Sequence, residues 1–414
     1  DDMVFMFGEK AVCVQDYGRD CILTETANTA LKTWTKHLAN GRCYGMSVTS
    51  GMYFKDDASV FDDISSTDRL YDDLNLALAR KMIAYYHVQQ FTNPVTDNLV
   101  EDRSLSLQEK IDHLAALLQN NEGAVIALYN LDGKGGHAVT PIAVEKESNE
   151  LYRVWVYDNN YPSFRQKPSI RSISVNVKNQ HWAYLLNEWE TELSKQYIDG
   201  IGPDYFFVIP INLHSLHPEF YGVNAEPPKY VIQSPVGQGA VHLKIVDEAG
   251  RSIGYDQNTF VNQIEGAGIQ PVLTTLDSWV EPIYWLPAES TYTVNISPLS
   301  SEPVKDTLLS WIGDHFTIMA SRETLTEIEK LIVKDGGKDV VYPVNEAGPV
   351  NLSFSQTETD YETRIELQQY SFQAGDQLQI TYDAGEGDYL ITYSGKEAIT
   401  GNLAITLHDD QGEQ

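Results

Sequence analysis

Basic residues are scarce in this sequence. Its 414 residues include 29 lysines and arginines against 59 aspartates and glutamates, a formal net charge of −30. This balance argues against binding to nucleic-acid phosphates or to anionic membranes, because both need clustered basic side chains. A hydrophobic content of 42% with 11% aromatic residues excludes global disorder. We expect two or three domains, since a domain takes roughly 150 residues.

Long apolar runs are also absent. No stretch reaches the roughly 18 consecutive apolar residues that a membrane-spanning helix needs, so we predict no membrane span. The chain begins at Asp1 rather than at a methionine, so either a leader was removed or the start was chosen for expression. Cleavage by the protein itself is one hypothesis for that removal.

Only three cysteines occur, at positions 13, 21 and 43. Cys13 and Cys21 bracket a stretch of turn-forming residues, so a disulfide between them would indicate an oxidising compartment. The alternative is two unrelated thiols. Cys43 is then the odd cysteine, which is either a buried small hydrophobic residue or a reactive thiol.

Residues 30–220 mix helical and strand patterns. Apolar spacing predicts helices at 29–40, from about Cys43 onwards, and at 66–91, 105–120 and 181–195. Strand patterns begin after residue 120 and resume after residue 195. The predicted strands are Ala124–Tyr129, Ala138–Val144, Tyr152–Tyr157, Ile170–Val177 and Tyr205–Ile211.

The pattern changes after about residue 222. Ala225-Glu-Pro-Pro has the composition of a linker, and short alternating segments separated by turn residues follow it. Strands at this spacing predict one or two β-sandwich modules, with a possible split near residue 300 and one helix at Leu325–Val333. We therefore divide the chain into 1–222 and 223–414.

Three polar segments in the first part carry the residue types of nucleophilic catalysis. They are Asn40–Ser47, Gly135–Val139 and Val156–Pro162, and they place Cys43 at a helix start, His137 at a strand start and Asp158 at the end of the next strand. A helix N-terminus stabilises a thiolate, and a neighbouring imidazole can take and return its proton. A third side chain on the other ring nitrogen would fix the imidazole. Two strands joined by a hairpin can bring His137 and Asp158 side by side.

These segments resemble papain-like cysteine peptidases, in which a Cys on a helix precedes a His and then an Asn or Asp on successive strands. The runs Cys-Tyr-Gly-Met, Gly-His-Ala-Val-x-Pro-x-Ala-Val and Tyr-Asp-Asn-Asn-Tyr-Pro are most similar to bacterial members related to the double-glycine leader peptidases. The resemblance covers about residues 30–220. It implies an α+β fold, a papain-like catalytic domain at 1–222 and a β-sandwich accessory region at 223–414.

The same resemblance implies the chemistry. Cys43 would be the nucleophile, His137 the general base and acid, and Asp158 the group that orients His137. Asn159 is the alternative third member, because successive strand residues point to opposite faces. The implied reaction is hydrolysis of a peptide or amide bond in a peptide or protein substrate through a thioester, with no cofactor and no metal.

One position departs from the family pattern. The family places a Gln six residues before the cysteine to complete the oxyanion hole, and this chain has His37 there. Asn40 is a second candidate donor. The departure keeps two alternatives open: a non-catalytic surface or binding protein that retains the fold, and an acyl transferase that uses the same three residues.

The second part also contains familiar runs. Asp247-Glu-Ala-Gly-Arg-Ser-Ile-Gly-Tyr-Asp and Tyr284-Trp-Leu-Pro are similar to a β-rich module of bacterial surface and secreted proteins, which implies a secreted or cell-surface location. Asp247, Asp256 and Asn258 are a candidate Ca²⁺ site, since loops of such modules hold the ion through oxygen ligands. The acidic pairs at 56–57, 62–63 and 72–73 match no EF-hand, and a solvated face is the preferred interpretation.

Overall fold

The structure is a computed structural model of the whole chain. It describes residues 2–14, 21–55, 76–129, 136–160, 170–185, 197–201, 205–216, 218, 220, 229–233, 241–256, 259–270, 272–273, 281–288, 290–299, 303–313, 316–357, 362–385, 387–409 and 412–413. The acidic pairs between 56 and 73, His217 and Asn258 lie outside these ranges.

Seven helices and twenty-four strands are present in the described ranges. The helices are α1 Asp2–Phe7, α2 Glu9–Val12, α3 Glu25–Asn40, α4 Cys43–Phe54, α5 Leu76–Gln89, α6 Val95–Arg103 and α7 Leu107–Gln119. The strands are β1 Ala124–Tyr129, β2 Gly136–Lys146, β3 Leu151–Tyr157, β4 Ile170–Asn176, β5 His181–Leu185, β6 Tyr197–Ile201, β7 Phe206–Pro210, β8 Lys229–Gln233, β9 Val241–Asp247, β10 Ser252–Asp256, β11 Thr259–Asn262, β12 Gly268–Gln270, β13 Ile283–Pro287, β14 Tyr292–Pro298, β15 Val304–Ile312, β16 Phe316–Leu325, β17 Glu329–Lys334, β18 Asp339–Pro343, β19 Gly348–Thr357, β20 Glu362–Phe372, β21 Gln377–Asp383, β22 Asp388–Ser394, β23 Asn402–Asp409 and β24 Gly412–Glu413.

The fold is α+β with a large β-rich part, as the sequence predicts. The chain forms two compact units: Asp1–His37, Phe220–Gln270 and Val280–Gln414 make the first, and Leu38–Glu219 with Pro271–Trp279 make the second. The predicted boundary at 222 lies near one change of unit. The first 37 residues, however, group with the β-rich unit and not with residues 38–219.

The second unit is built on one antiparallel sheet of seven strands, ordered β6-β5-β4-β3-β2-β1-β7. Every residue of β1 is buried, because apolar clusters cover both faces of this strand. Ile126 and Leu128 face the cluster formed with α7, whereas Val125 and Ala127 face the cluster that contains Cys43 and Val48 of α4. The sheet therefore separates two cores, and α4 lies on the second of them.

Helix α7 begins where its sequence predicts. The Ser106 side chain accepts from the Glu109 N–H, and the Glu109 carboxylate accepts from the Ser106 N–H, which forms a capping box. Its apolar residues at helical spacing, Leu107, Ile111 and Leu114, are fully buried. The predicted strands at 124–129, 138–144, 152–157, 170–177 and 205–211 are also observed, within a few residues at their ends.

The first unit contains two antiparallel sheets. The eight-stranded sheet has the order β11-β10-β9-β14-β17-β18-β21-β22, and the nine-stranded sheet has the order β12-β13-β8-β15-β16-β19-β20-β23-β24. Buried side chains of both sheets, among them Tyr284, Tyr292 and Trp311, belong to one hydrophobic cluster. Each sheet contains strands from both sides of residue 300, so both sheets continue across the position of the suggested split.

One predicted helix is wrong, and a second is wrong over the part that the structure describes. The segment 325–333 contains strand β17, whose residues alternate between buried and partly exposed and pair with β14 and β18. The start of the segment 181–195 is strand β5, which pairs with β4 and β6 at the edge of the seven-stranded sheet. The first segment is rich in Leu, Ile and Val, and the start of the second holds Trp182 and Tyr184. In both, sheet pairing overrides the weak helical spacing.

In the described residues, no helix combines the length and the apolar character that crossing a membrane requires.

Candidate functional site

The nucleophile candidate lies at the first turn of α4. Gly41, with φ of +150°, turns the chain between α3 and α4, and Cys43 is the first helical residue. The first backbone bond within the helix runs from the Met46 N–H to the Arg42 carbonyl. Arg42, at the N-cap, provides no side-chain cap, and the first turn holds no acidic residue. The N–H groups of this turn therefore present a positive partial charge beside the thiol.

The state of the three cysteines separates their roles. Cys13 and Cys21 are joined by a disulfide with Cα atoms 5.4 Å apart, so the bridge that the sequence left open is present. Cys43 is a free thiol and is 2% exposed. Its Sγ lies 3.9 Å from the carbonyl oxygen of Gly136, the residue before His137.

Strands β2 and β3 bring the histidine and the aspartate together. The antiparallel register places Tyr157, the last residue of β3, opposite Thr140 of β2. Asp158 follows Tyr157 and therefore lies near the start of β2, where His137 is. Nε2 of His137 and Oδ1 of Asp158 are 3.0 Å apart, and both side chains are fully buried. This is the hairpin juxtaposition that the sequence predicts for these two residues.

The charge state of the pair follows from its surroundings. Burial opposes a charge on the imidazole, but the Asp158 carboxylate and the Cys43 thiol outweigh it and raise the pKa of His137 to about 10. Burial likewise opposes the carboxylate charge, yet His137, the Tyr184 hydroxyl and the Asn160 N–H together lower the pKa of Asp158. At neutral pH the pair is an imidazolium beside a carboxylate.

Nδ1 is the ring nitrogen of His137 that does not contact Asp158. Nδ1 makes no hydrogen bond of normal geometry within the described residues, whereas the Cys43 thiol lies close enough to raise the pKa of His137. Since Nε2 is committed to Asp158, Nδ1 is the nitrogen available to exchange a proton with the sulfur.

Asn159 has a different task from Asp158. Its Oδ1 accepts from the Ser50 hydroxyl at 2.7 Å, and its Nδ2 donates to the Ser47 hydroxyl oxygen at 2.9 Å. Ser47 in turn donates to the Ala138 carbonyl at 2.7 Å. Asn159 therefore ties the end of β3 to α4, and Ser47 ties α4 to the strand that carries His137. Asp158 is the side chain that reaches the imidazole.

Tyr184 is a site residue that the sequence analysis missed. Its hydroxyl donates to Oδ2 of Asp158, the carboxylate oxygen that His137 leaves free. Tyr184 is fully buried and its ring is stacked near that of His137, with centroids 6.3 Å apart. The alternation of Trp182 and Tyr184 was the available signal, but the prediction of a helix at 181–195 concealed it.

The two oxyanion candidates lie on α3. Asn40 is the last residue of that helix and is partly buried, three residues before the nucleophile. His37 belongs to the first unit, is 1% exposed, and has its pKa lowered to about 3 by burial, so its imidazole is neutral. The oxyanion role of both residues stays a prediction.

The candidate cation sites have other partners. Asp247 accepts from Arg251 at 2.8 Å, and Asp256 pairs with Lys244 at 2.8 Å, so neither carboxylate faces a cation site. Within the ranges that the structure describes, no group of three or more His, Cys, Asp or Glu side chains could hold a metal ion.

Comparison with known proteins identifies no relative of this chain. No family model matches the chain, and no curated protein or solved structure is similar enough to match it.

Proposed function

We propose that this protein is a cysteine peptidase with a papain-like catalytic domain, which hydrolyses a peptide or amide bond through a thioester. The observation that carries the proposal is the position of His137, whose Nε2 is held 3.0 Å from Asp158 while Nδ1 is left for the free thiol of Cys43. The order helix, strand and strand in the chain, with these three residues at the matching ends, supports the same class.

The first half of the reaction forms the thioester. Cys43 attacks as a thiolate, a form that the imidazolium of His137 and the N-terminus of α4 both stabilise. The thiolate attacks the substrate carbonyl carbon, and the carbonyl oxygen becomes an oxyanion. His137 then gives its Nδ1 proton to the departing amine, the C–N bond breaks, and the acyl group stays on sulfur.

The second half releases the product. Neutral His137 takes a proton from water at Nδ1, and the resulting hydroxide attacks the thioester carbon. The C–S bond breaks, the carboxylic acid leaves, and the thiolate–imidazolium pair is restored. Asp158 keeps the ring plane and the tautomer through both halves, because it accepts from Nε2 throughout.

The oxyanion needs donors beside the sulfur. The backbone N–H of Cys43 has no partner within its own helix, since intrahelical bonding begins at Met46. We assign that N–H as one donor and either the Asn40 side chain or the ring N–H of His37 as the second.

The disulfide supports an extracellular setting for this activity. Cys13–Cys21 is oxidised, and such bridges persist in oxidising compartments. We propose a secreted or cell-surface bacterial protein that acts on a peptide or protein substrate.

A thiol-directed epoxide tests the catalytic pair. We expect stoichiometric labelling of Cys43 in the wild-type protein, and a loss of about 10²-fold or more in labelling rate in His137→Ala, because no imidazolium then holds the thiolate. His113→Ala is the matched control, since His113 lies on α7 in the same unit, and it should label at the wild-type rate. Mass spectrometry of peptic fragments measures the labelled fraction.

The same protein preparation separates the alternatives. Peptide hydrolysis that disappears in Cys43→Ala supports the peptidase. Transfer of the acyl group to an added amine, in preference to water, would make the protein an acyl transferase. Equal labelling of the wild type and His137→Ala would refute the catalytic site and favour a binding protein that keeps only the fold.

A further inference from the structure

A short segment between two β-rich strands packs into the unit that carries the site. Strands β12 and β13 pair with each other. β12 ends at Gln270 and β13 begins at Ile283, so 283 − 270 − 1 = 12 residues join them. Hairpin loops usually need two to five residues, roughly. Residues 271–279 group with the second unit, and Val272 and Leu273 are 2% and 1% exposed. Loops normally run over the surface, so this burial calls for a reason.

The Leu273 side chain packs against Gly136, the residue before His137. It belongs to the same hydrophobic cluster as Cys43, Ala138 and Tyr129. A Cβ placed on Gly136 would lie only 3.1 Å from Cδ2 of Leu273, so the leucine rests directly on this glycine. The carbonyl of the same glycine is the group that contacts the Cys43 sulfur.

The main chain of the segment is bound as well. The Leu273 N–H donates to Oε1 of Gln90 at 2.8 Å, and Gln90 is 1% exposed. The Gln90 amide is fixed, because its Nε2 donates to the His87 carbonyl at 2.9 Å. A backbone N–H on a fixed acceptor, with the adjoining side chain in an apolar pocket, is how proteins commonly bind an extended peptide.

We propose that Leu273 occupies a subsite of the peptide-binding cleft, so that Val272–Leu273 acts as a built-in inhibitor and the substrate offers a leucine-sized aliphatic side chain to this pocket. The inference rests on the proposed peptidase function. In the docked state the thiol is covered, which agrees with the 2% exposure of Cys43 and the full burial of His137. The substrate and the segment then compete for Gln90 and for the apolar pocket.

Competition makes the occupancy of the pocket measurable. The fraction of protein with an undocked segment sets the rate at which a small reagent or a substrate reaches Cys43. Removing the leucine side chain takes away its apolar contacts with Gly136 and Tyr129 but leaves Cys43, His137 and Asp158 intact.

The test is the rate of epoxide labelling of Cys43 in Leu273→Ala. We expect an increase of about tenfold or more, since loss of a buried leucine side chain shifts the docking equilibrium by at least that factor. Leu114→Ala is the matched control, because Leu114 is equally buried in the other cluster of the same unit. The milder Leu273→Val should give a smaller increase. Equal rates in all these proteins would overturn the inference.

A binding arm separates this inference from the proposed function. In the Cys43→Ala background, Leu273→Ala should bind a fluorescein-labelled oligoalanine peptide with one leucine more tightly than the same peptide with an aspartate. Fluorescence anisotropy measures both affinities. If binding depends on the leucine but no variant with Cys43 cleaves peptides, the subsite stands and the peptidase proposal fails. If peptides are cleaved but Leu273→Ala shows no preference, the subsite fails alone.

Discussion

At the scale of single residues, the Asp158 carboxylate decides the charge of the imidazole. One oxygen accepts from His137 and from the Asn160 N–H, and the other accepts from the Tyr184 hydroxyl. These bonds lower the pKa of Asp158 although burial alone would raise it. The carboxylate in turn keeps His137 protonated well above its ordinary range. Tyr184 thus positions the proposed catalytic pair through Asp158.

This chain of contacts gives a prediction for pH. Tyr184→Phe removes a donor that lowers the pKa of Asp158, so that pKa rises and protonation of the carboxylate begins at higher pH. A protonated Asp158 no longer holds the imidazolium of His137 in place beside the thiol. The rate of Cys43 labelling therefore falls as pH falls. We expect the acidic limb of the rate profile to move up by roughly one pH unit, the size of one hydrogen bond to a charged group.

The control for this profile is Tyr152→Phe. Tyr152 lies in the same sheet, but its hydroxyl contacts Gln108 instead of a site residue. Its acidic limb should coincide with that of the wild type. An unchanged limb in Tyr184→Phe, with the fold intact by circular dichroism, would contradict the positioning role.

The main candidate residues could be chosen from the sequence, because the signals that mark them lie within a few residues of each. A cysteine after a helix-stopping glycine and a histidine at a strand start follow from Gly41, Cys43 and His137 alone. The choice between Asp158 and Asn159 could not be made, because it depends on which face of β3 meets the imidazole. The packing of α4 decides it by binding the Asn159 amide to two serines.

At the scale of elements, small residues on α4 serve two different faces. Ser47 and Gly51 approach the strand β2, at the Ala138 carbonyl and the Thr140 side chain. Gly45 instead faces α5, where an added Cβ would lie 2.0 Å from the Ile83 carbonyl oxygen. The contact between α4 and α5 therefore depends on the absence of a side chain, which no periodicity reveals.

The two glycines give a paired prediction for stability. Gly45→Ala should lower the free energy of unfolding by about 1–3 kcal/mol, because the new methyl group meets backbone that cannot move aside. Gly51→Ala should be milder, since the one atom that its Cβ would clash with is Cδ1 of Ile211, the end of a flexible side chain. Urea unfolding followed by circular dichroism measures both. Equal losses would show that α5 shifts to accommodate the methyl group.

Helices and strands whose signals lie within their own sequence were predicted correctly. Strands that form only because neighbouring strands pair with them were not. The capping box of α7 and the alternation of β3 act within a few residues, so they are legible in the sequence. Strand β17 is a strand because β14 and β18 accept its backbone groups on both sides. β18 follows directly, but β14 lies far upstream in the chain. The sequence of β17 alone resembles a helix as much as a strand.

At the scale of the whole molecule, the first 37 residues belong with the β-rich unit and not with the sheet that follows them. Their attachment is a buried network. The Glu25 N–H donates to the Glu362 carboxylate at 2.5 Å, and the Glu25 carboxylate pairs with Arg364 at 3.1 Å. Arg364 also pairs with Glu362 at 3.3 Å, so one guanidinium compensates two buried carboxylates. The sequence could not show this, because over 300 residues separate the partners.

Substitution of that arginine gives the last prediction. Arg364→Met leaves Glu25 and Glu362 buried without their cation, so we expect the free energy of unfolding to fall by about 3–5 kcal/mol. Lys334→Met removes one exposed pair, with Asp339, from the same unit, and it should cost less than about 1 kcal/mol. Guanidinium unfolding of both variants tests the comparison. Because Glu362 already has a pKa raised by burial, it can escape the loss by taking up a proton, and the effect of Arg364→Met should then shrink as pH falls. A loss that is small and independent of pH would mean that water reaches these carboxylates and that the attachment of residues 1–37 rests on apolar contacts instead.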